Sequence, residues 1–408
     1  MKRISLAWLS ALVLLLTVVS IPAQEKDEEL WKKANEIHLD AIVIDAHAHP
    51  MPNEGMTPGA VPENLDLGKI TRYSCIDFIS MKEGGLDAAF FSIPLLNSRN
   101  PGNPSKRILD DIALFRSHIK KYSNLAEIAL SSSDIRRIHN SEKRAVLFMI
   151  ESRDCLEGHP VLLEAYYKMG VRMVTITRFE VDPNADTDSD GTVDGGLSRY
   201  GKDVVQEMNR LGMLIDISHA SDNLQMSLIE ESRGPVIASH SCVRALNDSP
   251  REMPDGIIKK LARNGGAIMI AFSSAHLSKE YAKKNSEAFG KFNAGKRKFE
   301  KKFKDDGEEL ERQYMILKDR IFSKGDDIEL LIDHIDHAVK VAGIDHVGLG
   351  SDYIEGIGNP AGLETAAGYP LITYHLLKRG YKAEDIRKIL GENLLRILSE
   401  VQNLSHSH

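Results

Sequence analysis

Eight short runs rich in β-branched and apolar residues alternate with longer stretches of helical periodicity, and this alternation constrains the chain more than any other feature. The runs are 41–46, 86–92, 144–150, 171–177, 213–217, 235–239, 267–272 and 346–350, with helical patterns such as 201–211 and 328–341 between them. Eight buried strands, each followed by a helix, are the signature of a (β/α)8 TIM-type barrel, which needs about 250 residues or more. The chain has 408. A further run at 126–130 offers a ninth strand, so a doubly wound open sheet is the competing architecture. No G-x-G-x-x-G follows the first run, which argues against a dinucleotide-binding version of that sheet.

The length beyond a minimal barrel falls into three places. Lys2 and Arg3 precede an apolar run from Leu6 to Val19, and Ile21-Pro22-Ala23 offers a small-residue cleavage site. This order predicts a signal peptide over 1–23 and an exported mature chain, periplasmic or extracellular. The run is short for a span of about 20 residues, and no later segment is apolar enough for one. Residues 24–404 then form a single domain. A stretch at 279–324, rich in Lys, Glu and Phe, reads as charged amphipathic helices inserted into it. An acidic loop at 182–196 carries Asp186, Asp188, Asp190 and Gly191, the opening of a calcium loop. Leu197 stands where that loop needs its last acidic ligand, so a polar loop is favoured over structural Ca2+.

Charge and cysteine content narrow the chemistry further. A formal net charge of −7 excludes a phosphate-tracking nucleic-acid binder. Cys75, Cys155 and Cys242 cannot form a disulfide framework and leave at least one thiol unpaired.

Of the 15 histidines, four stand at predicted strand ends. The first strand ends in Asp45-Ala46-His47-Ala48-His49, and side chains two apart on an extended segment point the same way. The others end in Ile150-Glu151, Ser218-His219, Ser239-His240 and Ser351-Asp352. Strands of a parallel barrel present their C-terminal ends on one face, where such enzymes place their chemistry. Four imidazoles, Glu151 and the spare carboxylate of Asp352 would converge there. One catalytic zinc typically takes three protein ligands, so this set suits a bridged pair of ions about 3.5–4 Å apart. Such nitrogen and oxygen donors discriminate poorly, and Mn2+ or Co2+ would also serve.

Four segments in order, GLSRYGKDVVQEMNRLGMLIDISHAS, PVIASHSCVRALNDSPREMPD, HIDHAVKVAGIDHVGLGSDYIEG and LLKRGYKAEDIRKILGENLLRIL, resemble the renal or membrane dipeptidases of the amidohydrolase superfamily. The resemblance runs from about Val43 to Leu398. It implies a barrel with two zinc ions that cleaves dipeptides, some with a D-residue at the C-terminal position, and often a homodimer. It further implies that His47 and His49 hold one ion and His219 and His240 the other, with Glu151 bridging. Asp352 would take a proton from the metal-bridged hydroxide and pass it to the leaving amine. Arg251 would grip the substrate's terminal carboxylate, a task suited to a bidentate guanidinium. Cys242 and Ser241 lack a partnered base and are not expected to act as nucleophiles.

The chain departs from the family pattern at three positions. His49 stands where the family has aspartate, and Arg178 where it has a substrate-contacting histidine. His276 aligns with a pocket tyrosine. Arg178 leaves two alternatives open: an amidohydrolase acting on another amide, lactam or N-acyl amino acid, or a non-catalytic metal-binding homologue.

Overall fold

A computed structural model describes residues 27–51, 65–70, 74–94, 103–151, 153–176, 196–304, 306–322, 325, 327–354 and 358–405. The predicted signal peptide at 1–23, Arg178 and the aspartates of the acidic loop, Asp186, Asp188 and Asp190, lie outside the described residues. Nine strands are present among them: β1 (Ile44–Ala48), β2 (Ala88–Pro94), β3 (Ala126–Ile128), β4 (Arg144–Glu151) and β5 (Val171–Thr175), then β6 (Leu214–Asp216), β7 (Ile237–Ser241), β8 (Ala267–Ile270) and β9 (Val347–Leu349). Each of the eight predicted runs contains or overlaps one strand.

The parallel order is β1-β2-β4-β5-β6-β7-β8-β9. It closes on itself: His49 N donates to Tyr353 O at 2.9 Å and Asp352 N to His47 O at 2.8 Å. Closure removes the sheet edge and settles the choice in favour of the (β/α)8 barrel. β3 is the ninth run, and it lies outside the ring. It pairs with Arg144–Val146 at the start of β4, whereas β5 pairs with Phe148–Glu151 further along the same edge. Buried backbone groups need partners, and β3 satisfies those of β4 that β5 starts too late to reach.

Alternate residues of the strands sort into two layers. Ile44, Ala46, Phe90, Leu147, Met149, Met173, Leu214, Ile237 and Met269 form one cluster with Leu394, Leu395 and Leu398 of the C-terminal helix Asn393–Ser405. These side chains fill the inside of the barrel. Residues of the other parity, such as Phe91, Phe148, Ile215, Ala238 and Ile270, pack outward against the helices. The C-terminal segment approaches the start of β1 so closely that a Cβ on Gly391 would lie 2.2 Å from Ile42 O. Only glycine fits there.

Two β-bulges interrupt this parity at the mouth. Asp45 pairs with Ala89 but Ala48 with Phe91, so Ala46 and His47 together face the single inward residue Phe90. Likewise Ala238 pairs with Ile268 and Ser241 with Ile270, so Ser239 and His240 together face Met269. An extra residue on one strand re-aims side chains that strict alternation would point apart.

The insertion predicted at 279–324 forms two helices, Lys279–Lys302 and Gly307–Ile321. Phe292 and Tyr314 are its buried centre, flanked by Phe289, Phe299, Leu310, Leu317, Ile321 and Phe322. It leaves the barrel directly after the short helix Ser274–Leu277, on the side of the strand C-termini. No helix among the described residues is long and apolar enough to cross a membrane. Cys75, Cys155 and Cys242 form no disulfide with one another.

Candidate metal centre

The strand ends bring six predicted residues together. His47, His49, Glu151, His219, His240 and Asp352 are all buried, Asp352 the most exposed at 8%. The bulge turns His47 inward, and His49 follows two residues on. His240 owes its direction to the second bulge, and Glu151 is the last inward residue of β4. His219 and Asp352 lie just past β6 and β9 with φ of 66° and 54°. Left-handed backbone is uncommon without glycine and must be held in place by its surroundings.

Glu151 divides the cluster. Its Oε2 lies 3.6 Å from His47 Nε2 and 3.4 Å from His49 Nε2. Its Oε1 lies 3.3 Å from His219 Nε2 and 3.7 Å from His240 Nε2. Within each pair the Nε2 atoms face one another, at 3.0 Å for His47 and His49 and 2.7 Å for His219 and His240. A neutral imidazole whose Nδ1 carries the proton offers only a lone pair at Nε2. Four Nε2 atoms aimed at a buried carboxylate would in that state be a donor set for divalent cations, and the residues present fit that group. Three overlapping groups have ligand atoms within 4.8 Å of one another: His47 with His49 and Glu151, Glu151 with His219 and His240, and His47 with His240 and Asp352.

The electrostatics follow from burial and partners. Burial pushes Glu151 up, but its histidine neighbours outweigh it and hold the carboxyl far below its usual range. Asp352 behaves alike, against His276 and His49. Burial lowers His240 well below the ordinary imidazole value, and His47 and Arg251 lower it further. His219 is lowered by burial and by Arg251. For His47, Glu151 and Asp352 overcome burial and leave the ring raised.

Each pair has a different third neighbour. Asp352 Oδ1 is 3.2 Å from His49 Nε2. Arg251 Nη2 is 3.2 Å from His219 Nε2 and donates to His240 O at 2.6 Å, while Nη1 donates to Ser241 Oγ at 3.0 Å. His276 has both ring nitrogens against carboxylates. Nδ1 is 2.7 Å from Glu252 Oε1 and Nε2 is 3.7 Å from Asp352 Oδ2. Burial opposes its protonation, but the two acids raise it to about 9. Cys242 is buried and its thiol is pushed well up by burial and by Glu252, which disfavours the reactive thiolate.

Asp45, Ser351, Asp216 and Ser239 are polar residues of the site that the sequence did not single out. Asp45 accepts from His47 N, Ser351 N and Ser351 Oγ at 3.0, 2.8 and 2.5 Å. Asp216 accepts from Ser218 N, Ser239 N and Ser239 Oγ at 3.0, 2.8 and 2.6 Å, and from Thr175 Oγ1 at 2.5 Å. Each aspartate thus clasps its own strand end to a serine on the next strand. A usable signal was present: both serines immediately precede a site residue, as Ser239-His240 and Ser351-Asp352.

Residues 31–408 match the family described as membrane dipeptidase, peptidase family M19. Dipeptidase verJ of Clonostachys rogersoniana is 28% identical over 385 residues, covering 91% of this chain and 87% of that protein. Dipeptidase 3 of Mus musculus is 29% identical over 385 residues, covering 93% and 68%. Among solved structures, the probable dipeptidase PvdM from Pseudomonas aeruginosa superposes with a TM-score of 0.73 at 24% identity, covering 93% of this chain and 100% of that one. A metallo peptidase from Rhodobacter sphaeroides, liganded with a phosphinate mimic of the dipeptide L-Ala-D-Ala, gives 0.68 at 20% identity, covering 89% and 100%. At these identities the two structures establish the shared fold.

Proposed function

The chain belongs to the membrane dipeptidase family, peptidase family M19, and from that premise we propose that it is a metal-dependent dipeptidase whose two ions share Glu151. The observation that carries this reading is the division of Glu151, one oxygen toward each histidine pair. His47 and His49 would hold one ion, and His219 and His240 the other. Zinc is the first choice, with Mn2+ or Co2+ also suited to these donors. Bound there, the ions supply Lewis acidity toward the scissile carbonyl and make water acidic enough to act at neutral pH.

The remaining chemistry belongs to the chain's own residues. Asp352 would carry the proton transfer, and its Oδ1 toward the histidines and Oδ2 toward His276 support that role. It takes a proton from the attacking water and returns it to the leaving amine, acting as base and then acid. The Arg251 guanidinium, beside the other histidine pair, receives the substrate's terminal carboxylate. His276 holds Asp352 in place from the side of Glu252. Acceptance of a C-terminal D-residue, and export through residues 1–23, belong to the same proposal.

The test is a panel of L-L and L-D dipeptides assayed with metal analysis, with and without chelator. We expect about two ions per chain and turnover that chelation abolishes and metal restores. A metal-loaded protein inert on every dipeptide but active on N-acyl amino acids or lactams would overturn the dipeptidase reading. Arg178 is the substitution that makes this second outcome worth assaying.

A further inference from the structure

The two aspartate–serine clasps look alike but face opposite ways. Ser351 follows the outward parity of Val347 and Leu349, on the helix side of the barrel. Ser239 lies inside by the parity of Ile237, and the bulge in β7 turns His240 to the same face. Only Ser239 therefore meets imidazoles. Its Oγ is 2.8 Å from His240 Nδ1 and 3.2 Å from His47 Nδ1. The two rings lie over one another, with centroids 3.8 Å apart.

The hydroxyl's proton decides the rest. A serine hydroxyl has one hydrogen to give and two lone pairs to receive with. The hydrogen goes to Asp216 Oδ2, 2.6 Å away. Both rings must then donate from Nδ1 to Ser239 Oγ, leaving each Nε2 turned toward Glu151. We infer that Ser239, backed by Asp216, is a positioning residue that sets the ring tautomer of His47 and His240 together, and so couples the two halves of the metal centre through one hydroxyl. The inference rests on the two-ion reading for its consequence, but not for its geometry. Groups that orient a ligand's far nitrogen typically change metal affinity on the order of 10- to 100-fold when removed. Here a single serine would act on both ions at once.

Ser239→Ala tests this, with Ser351→Ala as the matched control and Ser239→Thr as the conservative rescue. Ring tautomers are read by NMR in 15N-histidine-labelled full-length protein as purified, and metal retention by the rate of release to a chelator. In S239A we expect two rings to lose the signature of a hydrogen-bonded Nδ1–H. Both ions should leave on the order of 10-fold faster or more. S239T should restore both readouts, because it keeps the hydroxyl. S351A loses a clasp of the same chemistry and should move neither. Unchanged ring signals in S239A, or the same change in S351A, would overturn the inference. If the wild type shows the two tautomers but holds no metal, the metal reading fails and the positioning role of Ser239 stands.

Discussion

The two histidine pairs are near copies in composition and opposites in setting. Each offers two Nε2 atoms and one oxygen of Glu151, yet the His47–His49 pair is met by a carboxylate and the His219–His240 pair by a guanidinium. Asp352 is 3.2 Å from His49 Nε2, and Arg251 is 3.2 Å from His219 Nε2. A symmetric donor set can hold two ions but cannot orient a substrate. In the proposed function polarity comes from the third neighbour: the carboxylate side would move protons and the guanidinium side would hold the substrate's anion.

Removing what the halves share should have the largest effect. Glu151→Gln leaves four imidazoles around a neutral amide, and we expect loss of both ions and turnover at the buffer background, checked by metal analysis and rate. Loss of one ion alone would break the equivalence of the halves. Asp352→Asn comes next, with kcat lower by about 10²–10⁴ while metal content holds, the usual range for general acid–base groups. Arg251→Lys should act on the other side: KM rises about 10- to 100-fold and kcat moves less, because a point charge replaces a bidentate fork. If D352N raised KM and R251K lowered kcat instead, the assigned polarity would be reversed.

His276 gives a smaller, pH-dependent effect. Its folded value is raised to about 9, so its contribution is full below the unfolded value near 6.5 and is lost as pH rises through about 9. Activity should fall along that alkaline limb, and His276→Gln should flatten the limb at a several-fold cost in kcat. The smallest effect lies away from both pairs. His38 is buried between Thr373 Oγ1 and Gly84 O, each 2.8 Å from a ring nitrogen. Burial lowers its pKa, so its stabilising share is present above about 6.5 and lost as pH falls below it. Thermal melts should show that loss in the wild type and less of it in His38→Gln, with no change in metal content near neutral pH.

Most of the barrel was legible because buried strands and helices differ in the period of their apolar residues. The ambiguous run at 126–130 had the same composition as a barrel strand. What separates β3 is its partner, a three-residue stretch of β4 that sequence spacing does not reveal. His47, His49, Glu151, His219, His240 and Asp352 were legible from their place at strand ends. Ser239 and Asp216 were not, since their hydrogen bonds join side chains of neighbouring strands, and the bulge that brings His240 to Ser239's face exists only relative to the strand beside it. Strict alternation would have put Ser239 and His240 on opposite faces. Glu252 was hidden for a similar reason: it sits next to Arg251 in sequence and shows its importance only through His276.

The helical hairpin Lys279–Lys302 and Gly307–Ile321 carries its own aromatic centre, distinct among the described residues from both barrel clusters. A unit with a private core can open without exposing anyone else's. Its amides should therefore exchange with solvent at a lower opening free energy than those of β4 or β8.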